Sequence, residues 1–522
     1  MQTYQPHDLA RLDQLKGMSL ASFTARAAAF AIDFFGFMER LWQIILMLCS
    51  FMTLMNLQYS DLASAQEYDV VILNGKVIDP ESQLEAVRNI GIADGAIRAI
   101  SVEALRGRTT IDAKGLIVAP GFIDLHVHDM NDEHHRAQIM DGVTTALDLE
   151  IGTADVDQWY AEREGKMLLN YGVSIGHVPV RMKVMRDSGT FVPSGDAAHR
   201  AASEQEIEEL KQRIEQGLQR GAVAVGFGIN YTAAASHWEI LEMFRVAAKF
   251  GAACHVHLRY GGIKEPMNGI HALEEAIAAA AITGAPLHVV HISSVGLRDT
   301  PKLLQMVGEA RSRGMDVTTE CYPYTAGMTS IESAIFDDGW QERMGIDYKD
   351  LLWAATGERL TAESFARYRK TGGMVAVFSI PEEVAKIAVA HPLTMIASDG
   401  LLQNGKGHPR ASGTYSRVLG RFVREAKAMP WMEALRKMTL LPAQRLEKRV
   451  AMMKNKGRIR IGADADLTIF DPERVIDRSS FEEPAKYSEG IKHVLVNGRV
   501  VVKDGQLQSS VWPGRAIRAA IQ

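Results

Sequence analysis

Across residues 68–118, apolar and polar positions alternate in short runs broken by turn dipeptides. Tyr68-Asp69-Val70-Val71-Ile72-Leu73 leads into Asn74-Gly75, and Lys76-Val77-Ile78-Asp79 follows. Ile90-Gly91-Ile92 and Ile97-Arg98-Ala99-Ile100 flank Asp94-Gly95 in the same manner. Period-two runs joined by Asn-Gly or Asp-Gly predict β-hairpins, because these residues accept the left-handed backbone of a tight turn. The style returns near the C-terminus. There Asp466-Leu467-Thr468-Ile469-Phe470 and His493-Val494-Leu495-Val496 precede Asn497-Gly498 and Arg499-Val500-Val501-Val502. A small β-sandwich is expected from the two ends, residues 66–119 and 458–512.

Between them the rhythm changes. Short apolar runs at 222–227, 252–257, 287–292, 315–319 and 393–398 alternate with helical patterns. The helix over 204–220 opens on Ser203-Glu204-Gln205-Glu206, a capping-box sequence, and another helix is expected over 237–250. Strands alternating with helices imply a parallel sheet. The length of 120–457 favours an α/β class fold closed as a (β/α)8 TIM barrel. Neither linker nor low-complexity tract is evident within it.

Residues 1–65 form a separate leader. No charged residue occurs from Leu41 to Ser60, and residues 41–57 (LWQIILMLCSFMTLMNL) are nearly all apolar. A spanning helix needs about 20 such residues, so this run suits a signal-peptide core better than an anchor. Ala63-Ser64-Ala65 supplies the small-x-small cleavage pattern, which leaves Gln66 as the mature N-terminus; Met38 offers an alternative start. A periplasmic or secreted location follows. Membrane anchoring through an uncleaved leader, or a cytoplasmic protein with a buried N-terminal helix, are the alternatives.

Composition narrows the class of function. The 522 residues are 47% hydrophobic and 23% charged, as in an ordinary globular protein. A formal charge of -5 lacks the basic excess of a nucleic-acid surface. Cys49, Cys254 and Cys321 are too few for a disulfide framework; the last two are expected to be buried and inert.

Chemistry first shows at Ile123-Asp124-Leu125-His126-Val127-His128, at the seam of sandwich and barrel. On a strand, side chains two apart share a face, so both imidazoles can reach one metal ion.

From here the chain resembles the amidohydrolase superfamily and, within it, the N-acyl-D-amino-acid deacylases (D-aminoacylases). The landmarks run in order from Tyr68 to about Gly505: GFIDLHVHD, GVTTALDLEIG, HLR, VVHIS, ECYPYTAG, ASDG, HPRASGTYSRVLG, MTLLPAQRL and GADADLTIFDP. The resemblance implies a distorted (β/α)8 barrel with a β-sandwich from both ends. It implies metal ligands at His126, His128, His257 and His291, with Asp399 as proton shuttle and further ligand. Where these deacylases commonly carry a cysteine ligand, this chain has Glu150. A carboxylate is harder than a thiolate and can bridge two ions, so of one or two zinc ions, two are favoured. Asp148, on the same strand face, ranks second for that place. His255 is expected to orient a ligand, and His288 to pack within its strand.

For substrate, the resemblance implies Arg410 as the α-carboxylate anchor and a tyrosine beside it, Tyr324 in preference to Tyr322. Ser293 stands where many deacylases have a lysine, which points to a bulkier, less acidic or peptide-like substrate. The implied reaction is metal-assisted hydrolysis of N-acyl amino acids, with the D series favoured. Dipeptidase- or prolidase-like members are alternatives, as are cyclic-amide hydrolases of the hydantoinase or dihydroorotase type. The strand over 222–227 has no lysine to carboxylate, which counts against that last group. A silent scaffold on the same fold would have lost ligands. The partner is a small molecule, not nucleic acid; oligomeric state is left open.

Overall fold

A computed structural model describes residues 67–128, 130–509 and 511–522, and, in the leader, 24–25, 27–28, 31, 35–36 and 38–52. The chain divides into two units, Met1–Glu67 and Tyr68–Gln522. In the first, residues 38–52 are helical and leave Trp42, Met47 and Phe51 exposed. The cleavage motif 63–65 and Gln66 lie outside the described residues. Among the described residues, no helix is long and apolar enough to cross a membrane.

The second unit starts with a sheet built from both chain ends. Leu467–Phe470 runs antiparallel to Ile117–Pro120, and this pairing joins the N-terminal strands to those of 491–507. The strand Tyr68–Asp79 changes partner along its length. Its first half pairs with Gly107–Asp112 and its second with Ile117 and Val118. The sheet thereby doubles into a sandwich, which buries Ile72, Val77, Ile90, Val118, Leu467 and Leu495. Here one expectation fails. Asn74-Gly75 is a bulge inside one continuous strand, not a hairpin turn. Asn74 does adopt a φ of 61°, but Asn89 Oδ1 accepts from its backbone N at 2.8 Å and Asp112 Oδ1 accepts from its side chain at 3.0 Å. Those bonds hold the chain extended across the bulge. Asp94-Gly95 and Asn497-Gly498 do form the expected turns, with positive φ at both residues of each.

The barrel has eight parallel strands: Phe122–Asp124, Val143–Thr153, Asn170–Gly176, Val225–Gly228, Cys254–His257, Leu287–Val289, Val317–Cys321 and Thr394–Ile396. Their successive order in the sheet is that of a (β/α) barrel. Just beyond the strand ends, the first and last are stitched together. Asp399 N donates to His126 O and His128 N donates to Gly400 O, each at 2.8 Å. Helices cover the outside. Glu204–Gln219 starts on the expected capping box, with Ser203 and Glu206 bonded reciprocally, and His237–Lys249 packs beside it.

One feature interrupts the barrel pattern. Between the seventh and eighth strands lies a small antiparallel sheet of Gly327–Ser330, Met374–Val377, Leu351–Trp353 and Glu358–Arg359, with the helix Ala362–Thr371. It has its own core, in which Trp340 stacks on Phe365 and Trp353 on Tyr368. The sequence pattern implies one uninterrupted barrel over 120–457, and this insert departs from it. Strands of two to four residues are too short to show a period, and their core is completed by Trp340 and Phe365 from the helices between them.

Candidate metal centre and substrate cavity

The site stands where the barrel strands end. His126 and His128 follow the first strand, Glu150 lies on the second, His257 ends the fifth, His291 follows the sixth and Asp399 the eighth. Catalytic groups of such barrels occupy this rim. His291 and Asp399 have φ of 30° and 50°, a left-handed backbone that non-glycine residues adopt at a cost of about 1–3 kcal/mol. Neighbouring contacts hold the strain. Asp399 N is bonded to His126 O, and Ser294 Oγ lies 3.1 Å from His291 Nδ1.

Glu150 is the centre of the arrangement. Its Oε2 lies 2.9 Å from His126 Nε2 and 3.1 Å from His128 Nε2. Its Oε1 lies 2.7 Å from His257 Nδ1 and 3.8 Å from His291 Nε2. Asp399 Oδ1 completes the first group, 3.4 Å from His126 Nε2 and 3.2 Å from His128 Nε2. The donor atoms thus fall into two sets that share Glu150: His126, His128, Glu150 and Asp399, then Glu150, His257 and His291. The structure gathers all six expected ligands. Asp148, the second choice for Glu150's place, stands apart; its Oδ1 accepts from Gly152 N and is 3.9 Å from His128.

These residues fit divalent cations on their own electrostatics. Burial opposes charge on His126, yet Asp399, Glu320 and Glu150 hold its pKa well above the ordinary value. His128 is likewise pushed up to about 9, against burial, by hydrogen bonds to Asp399 and Glu150. The pocket is therefore built to surround positive charge. The facing nitrogens of His126 and His128, 3.2 Å apart, are two donors converging on one point.

Three supporting groups escaped the sequence reading. Glu320, at the end of the seventh strand, accepts from His126 Nδ1 at 2.6 Å and from His288 Nε2 at 3.2 Å. Burial opposes its charge, but the two histidines hold it below the ordinary carboxylate range. Such a carboxylate fixes the tautomer of a ligating histidine and raises its basicity. Asp124 accepts from His126 N and Ser398 N at 3.1 and 3.0 Å, which clamps the first strand to the eighth. Asn230 Nδ2 sits 3.2 Å from His257 Nε2. Asp124 and Glu320 lie inside the segments GFIDLHVHD and ECYPYTAG, an acid at a barrel strand end in each case. Asn230 carried no signal.

His255 corrects an expectation: both its ring nitrogens are buried without a hydrogen-bond partner, and its ring packs at a tilt against His288, 4.5 Å between centroids. Glu320 does the orienting expected of His255, and His288 is bonded rather than merely packed. Cys254 and Cys321 are buried, and burial raises both thiols.

Over the ligands opens a cavity of about 330 Å³, roofed by the insert. That volume is at the small end of ligand sites and suits one small molecule. Arg410 lines it and is 2% exposed. Its Nη2 is 2.9 Å from Asp399 Oδ2, while Nε and Nη1 are buried without a partner. The guanidinium lies over the Tyr322 ring, 4.6 Å from the centroid. Tyr322 also lines the cavity. Tyr324, the tyrosine preferred from the sequence, does not: its hydroxyl donates to Pro409 O and its ring is covered by Arg417. Two residues further along a turning loop, the side chain points elsewhere. Ser293 is also displaced from the expected place. It is fully buried with Oγ unpaired, and its neighbour Ser294 lines the cavity instead. Residues 292–296 are helical, so adjacent side chains diverge by about 100°.

The chain is similar to known proteins over most of its length. The amidohydrolase family model matches residues 109–165 and 182–502. An N-acyl-D-glutamate deacylase of Alcaligenes xylosoxydans xylosoxydans is 29% identical over 87% of this chain and 97% of the relative. A D-aminoacylase of the same organism is 27% identical over 84% and 95%. Among solved structures, N-acyl-D-glutamate deacylase from Bordetella bronchiseptica, complexed with zinc and a phosphonate mimic of the tetrahedral intermediate, superposes with a TM-score of 0.75. It is 28% identical and covers 87% of this chain and all of that one.

Proposed function

The chain belongs to the amidohydrolase family and is a hydrolase of amide C–N bonds; from that premise we propose that it deacylates N-acyl-D-amino acids at a two-ion centre. One observation carries the proposal: Glu150 offers one carboxylate oxygen to each of two ligand sets, and Arg410 stands beside them with two unspent buried donors. His126, His128, Asp399 and Glu150 would hold one ion, and Glu150, His257 and His291 the other. Imidazole and carboxylate donors suit zinc, which is the ion we assign. Ions bound there supply a water of lowered pKa and polarise the amide carbonyl.

The chain's own residues do the rest. Asp399 presents Oδ1 to the ligand cluster and is held through Oδ2 by Arg410. It takes the proton of the attacking water and returns one to the departing amine, which could not leave as an anion. Arg410 receives the substrate α-carboxylate. The fork of a guanidinium matches a carboxylate, and the Tyr322 face beneath restricts its plane. The D configuration rests on the relatives, which act on N-acyl-D-amino acids. Export to the periplasm or medium rests on the leader sequence; N-terminal sequencing of protein from its host, with Gln66 first, is the check.

The decisive experiment combines metal analysis with a substrate panel of N-acyl-D-amino acids, N-acyl-L-amino acids, dipeptides and a hydantoin. Two zinc ions per chain and turnover confined to the D series are expected. Preference for dipeptides or the cyclic amide would replace this reading with the corresponding alternative.

A further inference from the structure

Much of what fixes Arg410 lies at its backbone rather than its guanidinium, whose Nε and Nη1 are buried without a partner. Its amide opens the helix Arg410–Arg417. The first N–H groups of a helix find no carbonyl within it, and Pro409, at the cap, carries no side-chain acceptor. His408 supplies one. Its Nδ1 accepts from Arg410 N at 3.0 Å, and its carbonyl accepts from Ala411 N at 3.0 Å. The same ring donates from Nε2 to Ala326 O at 3.0 Å. Ala326 adjoins Gly327, where the first strand of the insert begins. The two ring bonds require the neutral tautomer with its proton on Nε2. Burial, helped by the Arg410 charge, holds the pKa of the ring well below its ordinary value, which keeps it neutral.

The ring has no room to turn. It is wholly buried and meets Tyr324 and Phe481 edge-on, with centroids 5.3 and 4.8 Å away. Phe481 also packs on Phe378, just past the last strand of the insert. Between His408 and Arg410, Pro409 O accepts from Ser479 Oγ at 2.8 Å and from the Tyr324 hydroxyl at 3.3 Å. Three stretches far apart in sequence thus meet at His408: the loop after the eighth strand, the root of the insert and the C-terminal segment at 479–481. Tyr324 is part of this brace, which accounts for its absence from the cavity wall.

We infer that His408 is the positioning residue for the carboxylate anchor: by bonding both Arg410 N and Ala326 O, it sets where the guanidinium stands between the metal ligands and the insert. This rests on the deacylase reading, in which Arg410 receives the α-carboxylate. A histidine that served only to stabilise the fold would leave KM unaltered in protein that is folded. Asparagine and glutamine separate its two bonds. The short asparagine amide can place an oxygen near the Nδ1 position and so accept from Arg410 N, whereas the longer glutamine amide can place a donor near Nε2 and so reach Ala326 O.

The test is steady-state kinetics of the zinc-loaded enzyme on an N-acetyl-D-amino acid and on the same compound with its α-carboxylate converted to the carboxamide. His408→Leu removes both bonds and is expected to raise KM for the acid about tenfold, with kcat within about threefold. Zinc content should be unchanged, and kcat/KM for the carboxamide should stay within about threefold, since that substrate offers Arg410 no charge. His408→Asn should recover most of the loss, and His408→Gln should not. Added to Arg410→Lys, His408→Leu should cost less than about twofold more, because both act on one contact. Parental KM for the acid in soluble His408→Leu, an equal loss on the carboxamide, or full additivity with Arg410→Lys would overturn the inference. If the leucine variant does not fold, the other two decide: equal KM values, or a higher one for asparagine, overturn it. A parent enzyme that hydrolyses acid and carboxamide alike removes Arg410 as the anchor, and the inference with it. A parent that prefers the acid, with unmoved variants, overturns the inference alone.

Discussion

Replacing Glu320 by glutamine isolates the contribution of a residue that touches neither ion nor substrate. The buried carboxylate accepts from His126 Nδ1 at 2.6 Å and His288 Nε2 at 3.2 Å. Glutamine keeps the shape and one acceptor but replaces the other oxygen with a donor. Hydrogen bonds to charged groups are worth about 1.5–3 kcal/mol and neutral ones about 0.5–1.5, so the swap costs roughly 1–2 kcal/mol. His126 is thereby a weaker and less fixed donor. At 1.4 kcal/mol per decade, affinity for an ion on His126 falls about 5- to 30-fold, which overlaps the lower part of the roughly 10- to 100-fold range usual for such supporting carboxylates. Competition against a chromophoric chelator measures it, with elemental analysis giving the stoichiometry. The ion on the His257 and His291 side should bind with nearly unchanged affinity. His255→Phe is the matched control: His255 has no hydrogen-bond partner, so metal affinity should stay within about twofold. Parental affinity in Glu320→Gln, or an equal loss in the control, would refute the argument that a bonded carboxylate orients His126.

Asp399→Asn should retain metal through the remaining ligands but lower kcat about 10²- to 10⁴-fold, as steady-state kinetics with parallel metal analysis will show. Glu150→Ala removes the shared ligand, so elemental analysis should fall from two ions per chain to one or fewer. Arg410→Lys keeps the charge but loses the fork, and should raise KM by about tenfold or more with a smaller change in kcat. Away from the centre, Glu239→Ala strands Arg181 and His177, which are wholly buried and bonded to that carboxylate. Thermal or denaturant unfolding should register a loss of about 3–5 kcal/mol with little effect on metal content in the protein that remains folded.

How much of this was legible beforehand divides by the reach of each interaction. Period and turn chemistry are local, so the strands at both ends, the capped helix at 204–219 and the turns at Asp94-Gly95 and Asn497-Gly498 were readable from neighbouring residues. The six residues expected as ligands could be named in advance, because each lies on a barrel strand or just past its end inside a recognisable segment. Asn74-Gly75 shows where local reading stops. The dipeptide takes its left-handed φ either way, and only Asn89 and Asp112, reaching it from other strands, decide between a bulge and a turn.

The chain order of residues by itself determined the architecture and the kinds of donor atom available at the strand ends, since both follow from side-chain period and chemical type. Tertiary structure alone decided which side chains face one another. It divided Glu150 between two ligand sets, put Glu320 rather than His255 behind His126, and turned Tyr322 instead of Tyr324 toward Arg410. It also folded residues 327–377 over the cavity. These outcomes depend on the angle at which distant segments meet, and a single rotation of about 100° along a helical turn or a one-residue step on a strand redirects a side chain completely.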